Sequence, residues 1–574
     1  MEPIAYILTL FLILFVYNFH HQLQVLALAT SGSDHDFRYM ESVYDATEMS
    51  SEEEYYDYII IGGGTAGCPL AATLSQNYSV LVLERGSVPK SHPNVLHLSG
   101  FFANLMEEEG DDNGGVTPAQ RFTSEDGVEN VRGRVLGGTS MLNAGFFSRG
   151  DEGFFSQSGV KWEMDIVEKA YEWVEESIVF RPRLPVWQSA VKDGLLEAGV
   201  GPDNEFLLKH QLGTKASGST FDEVGRRHGA VELLNKANLK NLRVAVRATV
   251  ERIIFSTKES RNYQSGDDSD SSPQPNAIGA IYSDSNGKSH TVLIRHKGEV
   301  ILSAGAIGTP QLLLLSGIGP HSYLSSLSIP IVHSQPNVGD FLADNPRNNV
   351  NLIIPSPTEP SSVQVVGITS HYFIETISAN LPIAPTPPAF GLYPKSSTAD
   401  LSMTIICEKL RQPLSSGSLW LASPTDVRVS PHVRFNYFAH PEDLSHCVTA
   451  MRKIGEVLKA KSLERFKMVD SEGERDFMYF GPSLPANQSD ESAMEEFCRS
   501  TVTTIWHYHG GSAVGKVVNG NFQVMGVSSL RVVDGSTFRL SPGTNPQATV
   551  MMLGRYVGLK MLQEREAEAN AEYY

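Results

Sequence analysis

Positive charge is in short supply: 46 Lys and Arg stand against 65 Asp and Glu in 574 residues, a formal net charge of −19. Nothing offsets the repulsion of a phosphate backbone, which excludes nucleic acid as a partner. Cysteine is scarcer still. Cys68, Cys407, Cys447 and Cys498 are too few for a disulfide scaffold and badly spaced for zinc, leaving one structural bridge at most, or free buried thiols. A run long enough to cross a bilayer is also wanting at the N-terminus. The apolar stretch IAYILTLFLILFVY, Ile4 to Tyr17, has the length of a signal peptide and is too short to span comfortably. Small residues in QVLALAT offer cleavage near Ala27, so residues 1–27 read as a signal peptide and the chain as secreted or held in the secretory pathway, with no membrane attachment after cleavage. The segment before the run carries Glu2 and no Lys or Arg, and an uncleaved anchor is the alternative. Two N-x-S sequons, at Asn77 and Asn487, suit a secretory route. No fold-level repeat is present.

What is there is loop-rich and globular: 41% hydrophobic residues, 49 Gly and 31 Pro. The length exceeds one ordinary core, so a large domain with a second part folded onto it is expected. Residues 28–54 are polar and acidic and read as an extended arm onto the first strand. From Tyr55 the pattern changes to YDYIIIGGGTAGCPLAATLSQNYSVLVLERG, an apolar run, a glycine turn, a helical stretch and a second apolar run ending in Glu84, which is a βαβ unit. Between 227 and 302 strands alternate with turns, and Asn286-Gly287 marks a hairpin. Residues 265–276, SGDDSDSSPQPN, have the composition of a disordered insertion. Pro-rich stretches occupy 355–360 and 382–395, and TVMMLGRYVGLKMLQERE closes the chain as a helix.

A lone G-x-G-x-x-G says little, but Gly62, Gly64 and Gly67 follow a strand and open a helix, with an acid after the next strand. That context makes the match specific. Glycine at these places lets the backbone turn tightly and approach a pyrophosphate, whose charge sits against the unpaired N–H groups of a helix N-terminus. Glu84 can accept hydrogen bonds from ribose hydroxyls, and its charge disfavours a 2′-phosphate, so FAD or NAD is preferred over NADP.

The stretch TIWHYHGG, Thr504 to Gly511, puts two histidines one residue apart. On a strand His507 and His509 would face the same side and could grip a metal together. No third ligand lies nearby, and no metal is expected.

GRVLGGTSMLNAG (Gly133 to Gly145) and GAIGTPQLLLLSGIGP (Gly305 to Pro320) resemble the two signature motifs of the glucose-methanol-choline (GMC) flavin oxidoreductases. LRVVDGSTF (Leu530 to Phe538), TNPQATVMMLGRY (Thr544 to Tyr556) and WHYHGG match that family's third block. ENVRGRVLGGTS, KGEVILSAGAIGTPQLLLLSG and DLSHCVTAMRKIGE resemble its plant branch of (R)-mandelonitrile lyase-like and HOTHEAD-like proteins. The resemblance runs from about Tyr55 to the last helix and implies an α/β fold, α+β overall. It comprises a Rossmann-type FAD-binding domain from 55–150, 225–345 and 500–565, and a substrate domain on an antiparallel sheet from 151–224 and 346–499.

It implies FAD as the cofactor, with Gly62, Gly64, Thr65, Ala66, Gly67, Glu84 and Arg85 on the ADP half and Val250 at the adenine. Val135, Gly138, Thr139, Asn143, Ala144 and Gly145 would lie on the flavin side, Asp534 and Gly535 at the pyrophosphate and ribityl, and Trp506, His507, Asn545, Pro546 and Gln547 would complete the site. Some relatives attach the flavin through a histidine two residues after the serine of GG-x-S. Here that place is Leu142, so the FAD is expected to be non-covalent. The resemblance also implies a disulfide between Cys447 and Cys498.

By the same resemblance His507 is the catalytic base, His509 a support oriented by Gly510 and Gly511, and Asn545 the second catalytic position. The lyases of the branch carry histidine there. Asparagine can hold a substrate oxygen by its NH₂ group but cannot move a proton near neutrality. One base suffices for hydride transfer from an alcohol to flavin N5, whereas a lyase needs a further donor and a positive environment for departing cyanide. Ile505 and Glu375 stand where the lyases carry a tyrosine and a substrate-site cysteine, and the pocket residues that would choose the alcohol fall in 350–400. The implied activity is FAD-dependent oxidation of a small-molecule alcohol to an aldehyde or ketone, with an external electron acceptor for which dioxygen is a candidate; the alternative is an (R)-hydroxynitrile lyase with structural FAD.

Overall fold

A computed structural model describes residues 34–49, 53–106, 117–257, 274–355, 358–380, 401–469 and 473–572. The apolar run at 4–17, the cleavage point near Ala27, nearly all of the 265–276 insertion and the 382–395 stretch lie outside them. No helix of the described residues is long and apolar enough to cross a membrane.

The βαβ unit forms as expected. Strand Glu54–Ile61 runs parallel to Val80–Glu84 with Ile59 opposite Leu81 and Ile60 opposite Val82, and helix Gly67–Leu74 crosses between them, every residue buried. Burial on both faces explains why these strands read as unbroken apolar runs rather than alternating ones. The sheet extends through Leu242–Val246 on one side and Ser289–Leu302 on the other, where Leu530–Val532 adds in parallel. Strands Pro275–Ser283 and Ser289–Leu302 form the hairpin predicted at Asn286-Gly287: Gly287 takes φ +78°, and Asp284 Oδ1 accepts the backbone N–H groups of Asn286 and Lys288.

Residues 34–48 differ from the extended arm expected of them. They fold as 3-10 turns around a three-residue strand, Val43–Asp45, that adds parallel to Leu242–Val246. Tyr39 and Met49, scattered among acids in sequence, are buried, and the backbone N–H of Tyr39 is fixed by Asn235 Oδ1 at 2.9 Å. Apolar side chains at these intervals pull the segment onto the sheet edge.

A second sheet of seven strands draws on Asp203–Phe206, Gly213–Ala216, Arg347–Ile354, Val365–Ile368, Tyr372–Asn380, Ser402–Leu410 and Met478–Tyr479, all antiparallel except the first pair. Its core includes Trp187, Val350, Ile374 and Met451. There Cys447 and Cys498 form a disulfide, Cα to Cα 6.3 Å, joining helices Pro441–Val457 and Glu491–Thr501. Cys68 and Cys407 are free and buried.

The closing helix, Gln547–Glu572, begins directly after Pro546, whose fixed φ suits a helix start. Gly554 lets it approach the first βαβ unit: a Cβ there would lie 2.2 Å from the carbonyl oxygen of Ala66, and one at Gly558 would lie 2.8 Å from the Thr73 side chain.

Candidate active site

A cavity of about 1100 Å³ opens where the glycine turn, residues 133–146, the 284–287 hairpin, helix Gly305–Leu315, and residues 505–508 and 545–550 converge. Gly62 adopts φ +105°, and a Cβ on it would meet the carbonyl oxygen of Ser303 at 2.3 Å; this is a turn only glycine makes without strain. Gly67 serves differently. It does not line the cavity, and a Cβ there would strike the carbonyl oxygen of Gly62 at 2.0 Å, so it lets helix and turn touch rather than contacting a ligand. Val135, also placed at the flavin, is fully buried behind the wall. Its carbonyl accepts the N–H of Gly138 at 2.8 Å, because the turn at Gly137 and Gly138 faces the main chain inward and the valine outward to the core. The other expected cofactor residues, Gly62, Gly64, Thr65, Ala66, Glu84, Arg85, Gly138, Thr139, Asn143, Ala144, Gly145, Val250, Trp506, His507, Asp534, Gly535, Asn545, Pro546 and Gln547, all line the cavity. Leu142 is buried in the core, outside the lining.

The carboxylate of Glu84 ties two turns, accepting Gly63 N–H on Oε2 at 3.0 Å and Gly86 N–H on Oε1 at 2.7 Å. Burial raises its pKa while these N–H groups lower it; each oxygen keeps a lone pair for a hydroxyl. Asp534 is more committed: it accepts from Gly305 N–H, the Thr309 hydroxyl and Ser536 N–H, so it shapes the wall more than it offers a free carboxylate.

The sequence reading did not single out the cationic lining. Arg132, Arg134, Arg247 and Arg428 join Arg85, and these five arginines face three carboxylates, Glu84, Asp284 and Asp534. Arg132 donates Nε–H to Gln120 at 2.9 Å while its buried Nη2 has no partner. Arg247 and Arg428 are already paired, with Asp45 and Asp426; the glycine turn at a helix N-terminus and the orphaned guanidinium nitrogen of Arg132 suit a dinucleotide's diphosphate, and the volume suits a flavin beyond it.

The two histidines part company. Residues 505–508 form no strand; Trp506 takes φ +63°, and this left-handed residue breaks the alternation that would have put both imidazoles on one face. His507 lines the cavity and His509 does not. His509 lies in an isolated bridge to Ala343, its Nδ1 3.0 Å from the carbonyl oxygen of His507, and burial lowers its pKa to about 4. Gly510 permits this close passage: a Cβ there would lie 1.9 Å from the carbonyl oxygen of Phe341.

His507 is held by a buried carboxylate that no motif announced. Its backbone N–H donates to Asp344 Oδ1 at 2.9 Å, while the Thr504 hydroxyl (2.5 Å) and the Tyr437 phenol (2.6 Å) donate to Oδ2. Burial raises the Asp344 pKa to about 6 against the lowering effect of those donors. Burial, followed by the charges of Lys409, His509 and Arg347, holds His507 well below the usual imidazole range. Its ring is therefore neutral near pH 7, the state a proton acceptor needs. Nδ1 of His507, Nε1 of Trp506 and Oδ1 of Asn545 are buried without protein partners, which leaves donor and acceptor capacity for a bound molecule.

Glu375 does not line the cavity; it forms a fully buried ion pair with Lys409 across adjacent strands. None of the described residues of 350–400 lines the cavity either, and 381–400, part of the stretch expected to choose the alcohol, lies outside the described residues. Among the described residues no group of three potential ligands could hold a metal ion.

Two GMC oxidoreductase family models match the chain, the N-terminal model over residues 56–347 and the C-terminal model over 413–554. The sequence is 52% identical over 569 residues to (R)-mandelonitrile lyase 1 of Prunus serotina, covering 99% of this chain and 96% of that one. It is 51% identical over 569 residues to sinalpyl alcohol oxidase Nec3 of Nesocodon mauritianus, covering 98% and 99%. Among solved structures, a formate oxidase superposes with a TM-score of 0.71 at 20% identity, covering 90% of this chain and 100% of that one.

Proposed function

The chain belongs to the GMC oxidoreductase family, and from that membership we propose that it oxidises a small-molecule alcohol to an aldehyde or ketone. FAD is its cofactor, and when bound it supplies the acceptor for a hydride from the carbinol carbon. The glycine turn and the arginines would hold the diphosphate. Residues 133–146 and the start of the closing helix would seat the ring. Position 142, a buried leucine, offers no nucleophile for a covalent link.

His507 would take the hydroxyl proton on a ring nitrogen as the carbinol C–H breaks, and Asp344 would fix the backbone from which the imidazole projects. Asn545 would hold the alcohol oxygen through its amide. Trp506 and Ile505 would shield the reacting carbon from water. An external two-electron acceptor, dioxygen being the first candidate, would then clear the electrons.

The observation carrying this reading over cyanohydrin cleavage is that the second catalytic position, which lines the cavity with His507, is an asparagine, Asn545. A lyase needs a second proton donor and a cation for departing cyanide. Asparagine supplies no proton; of the two cations acting on His507, Lys409 and Arg347, Lys409 is paired with Glu375, so the missing proton donor rather than a missing cation separates the readings. The 52% identity to a lyase over nearly the whole chain favours the second reading, an (R)-hydroxynitrile lyase with structural FAD.

Anaerobic mixing with benzylic, terpenoid and long-chain ω-hydroxy alcohols separates the two. Bleaching of the oxidised flavin spectrum is expected. Rapid cyanide release from (R)-mandelonitrile, with no alcohol bleaching the flavin, overturns the proposal.

We infer a discontinuous FAD-binding domain from 55–150, 225–345 and 500–565, with 151–224 and 346–499 carrying substrate. Asn77 and Asn487 are exposed and would accept glycans in a secretory compartment.

A further inference from the structure

Arg227 is fully buried, and among the described residues no carboxylate pairs with it. Nε–H donates to the carbonyl oxygen of Val95 at 3.0 Å, and Nη1–H to Ser140 O at 3.2 Å and to Asn143 Oδ1 at 3.1 Å. Nη2 has no partner, and the guanidinium carbon sits 4.3 Å from the centroid of the Phe221 ring. Burial lowers its pKa only to about 9, with no charged neighbour acting on it, so it stays cationic. Two backbone carbonyls could be satisfied by a neutral amide. A desolvated charge without a counterion is a costly way to hold a loop, unless the counterion arrives later.

The direction of the charge points to that counterion. Ser140 and Asn143 both line the cavity. Because Asn143 Oδ1 accepts from Arg227 and from Gly145 N–H (2.9 Å), its Nδ2 must donate, and it does so to Gln547 Oε1 at 2.9 Å; Gln547 Nε2 donates in turn to Phe146 O. Arg227 thus orients and polarises a chain of two amides in the cavity wall, joining residues 140–147 to the first turn of the closing helix.

We propose that Arg227 is the counter-charge for reduced flavin: a positioning residue one hydrogen bond behind the wall that offsets the negative charge the ring gains in turnover. The balance requires one. Alcohol, imidazole and oxidised flavin ring would begin neutral; a proton and two electrons would leave the carbinol carbon together as hydride for the ring, giving it one negative charge, while the hydroxyl proton would make His507 a cation. The His507 charge is lost when that proton leaves to solvent, but the flavin charge persists until the external acceptor removes the electrons. The inference rests on the flavin reading above.

Photoreduction of the FAD-loaded protein with no alcohol present tests it, so a failure of alcohol oxidation leaves it standing. In wild type the reduced flavin is expected to show the anionic spectrum from pH 6 to 8; a neutral reduced flavin at pH 7 overturns the inference without any variant. In Arg227→Met the reduction equilibrium should move at least about tenfold toward oxidised flavin, about 30 mV for a two-electron couple, and sulfite should bind the flavin more weakly. Arg227→Lys should stay within about threefold of wild type. A Met variant of unchanged potential and sulfite affinity overturns the inference, since loss of a loop tie alone would not move the Lys and Met variants apart. If the Met variant holds no flavin, the wild-type spectrum decides.

Discussion

The backbone N–H of His507 and Oδ1 of Asp344 are 2.9 Å apart, and through that bond the proposed base is anchored to a carboxylate 163 positions earlier in the chain. The same carboxylate collects two hydroxyl donors: its ties to Thr504 and His507 fix residues 504–507 as a unit, and the Tyr437 phenol anchors the carboxylate from outside the segment. Asp344→Asn replaces one acceptor with an NH₂ that must oppose an existing donor. It is expected to lower kcat by about 10- to 100-fold with little change in KM, the pattern of a displaced base rather than lost binding; steady-state kinetics at constant flavin content checks it.

The same residue predicts a pH effect on stability. Its folded pKa, about 6, lies above that of an exposed aspartate. The protonated form is therefore favoured by folding, and its contribution is full below about pH 4 and lost as pH rises through 6. Two units correspond to about 3 kcal/mol. Between pH 4 and 7 the difference in unfolding free energy, Asp344→Asn minus wild type, should rise with pH, read by denaturant titration at each pH.

Catalysis should depend on pH the other way. Burial and nearby cations depress the His507 pKa, so the neutral base persists to acid pH. kcat/KM for the alcohol should be flat through pH 6–8 and fall only on further acidification, whereas an unperturbed imidazole would titrate near about 6.5. His507→Ala should cost about 10²- to 10⁴-fold in kcat with the flavin spectrum retained.

Asn545→Ala should lower kcat/KM by about tenfold in all, shared between a higher KM and a lower kcat, a hydrogen bond to substrate oxygen being worth about 1–1.5 kcal/mol. Asn545→His restores a proton-bearing group beside His507. It is expected to raise cyanide release from (R)-mandelonitrile without improving alcohol oxidation, measured in parallel assays on one preparation.

The disulfide closes 51 residues, a loop for which chain entropy gives about 4 kcal/mol. Cys447→Ser with Cys498→Ser should lower the unfolding free energy by about 2–4 kcal/mol and leave flavin affinity unaltered, because the bridge lies in the core around Trp187 and not in the cavity.

Features with a local cause were legible from sequence. The 62–67 turn, the Asn286-Gly287 hairpin and the closing helix each follow from residues within a few positions of one another. The site's second layer was not. Asp344, Arg227 and the Glu375–Lys409 pair act across more than thirty residues, in segments without a motif, and only the tertiary structure brings them behind the residues that line the cavity. The pairing of His507 and His509 on one face failed for a subtler reason: Trp506 adopts a left-handed backbone that tryptophan rarely takes, and nothing in WHYHGG announces it.

The contact between Gly554 and Ala66 imposes an order on biosynthesis. The turn that would receive the diphosphate leaves the ribosome early, yet the helix that backs it belongs to the last residues translated. A nascent chain stalled before position 554 carries the whole glycine fingerprint on an unsupported turn. Cofactor capture is therefore expected to await the finished polypeptide, and a C-terminal truncation should be felt first as a loss of bound flavin, at the opposite end of the sequence from the cut.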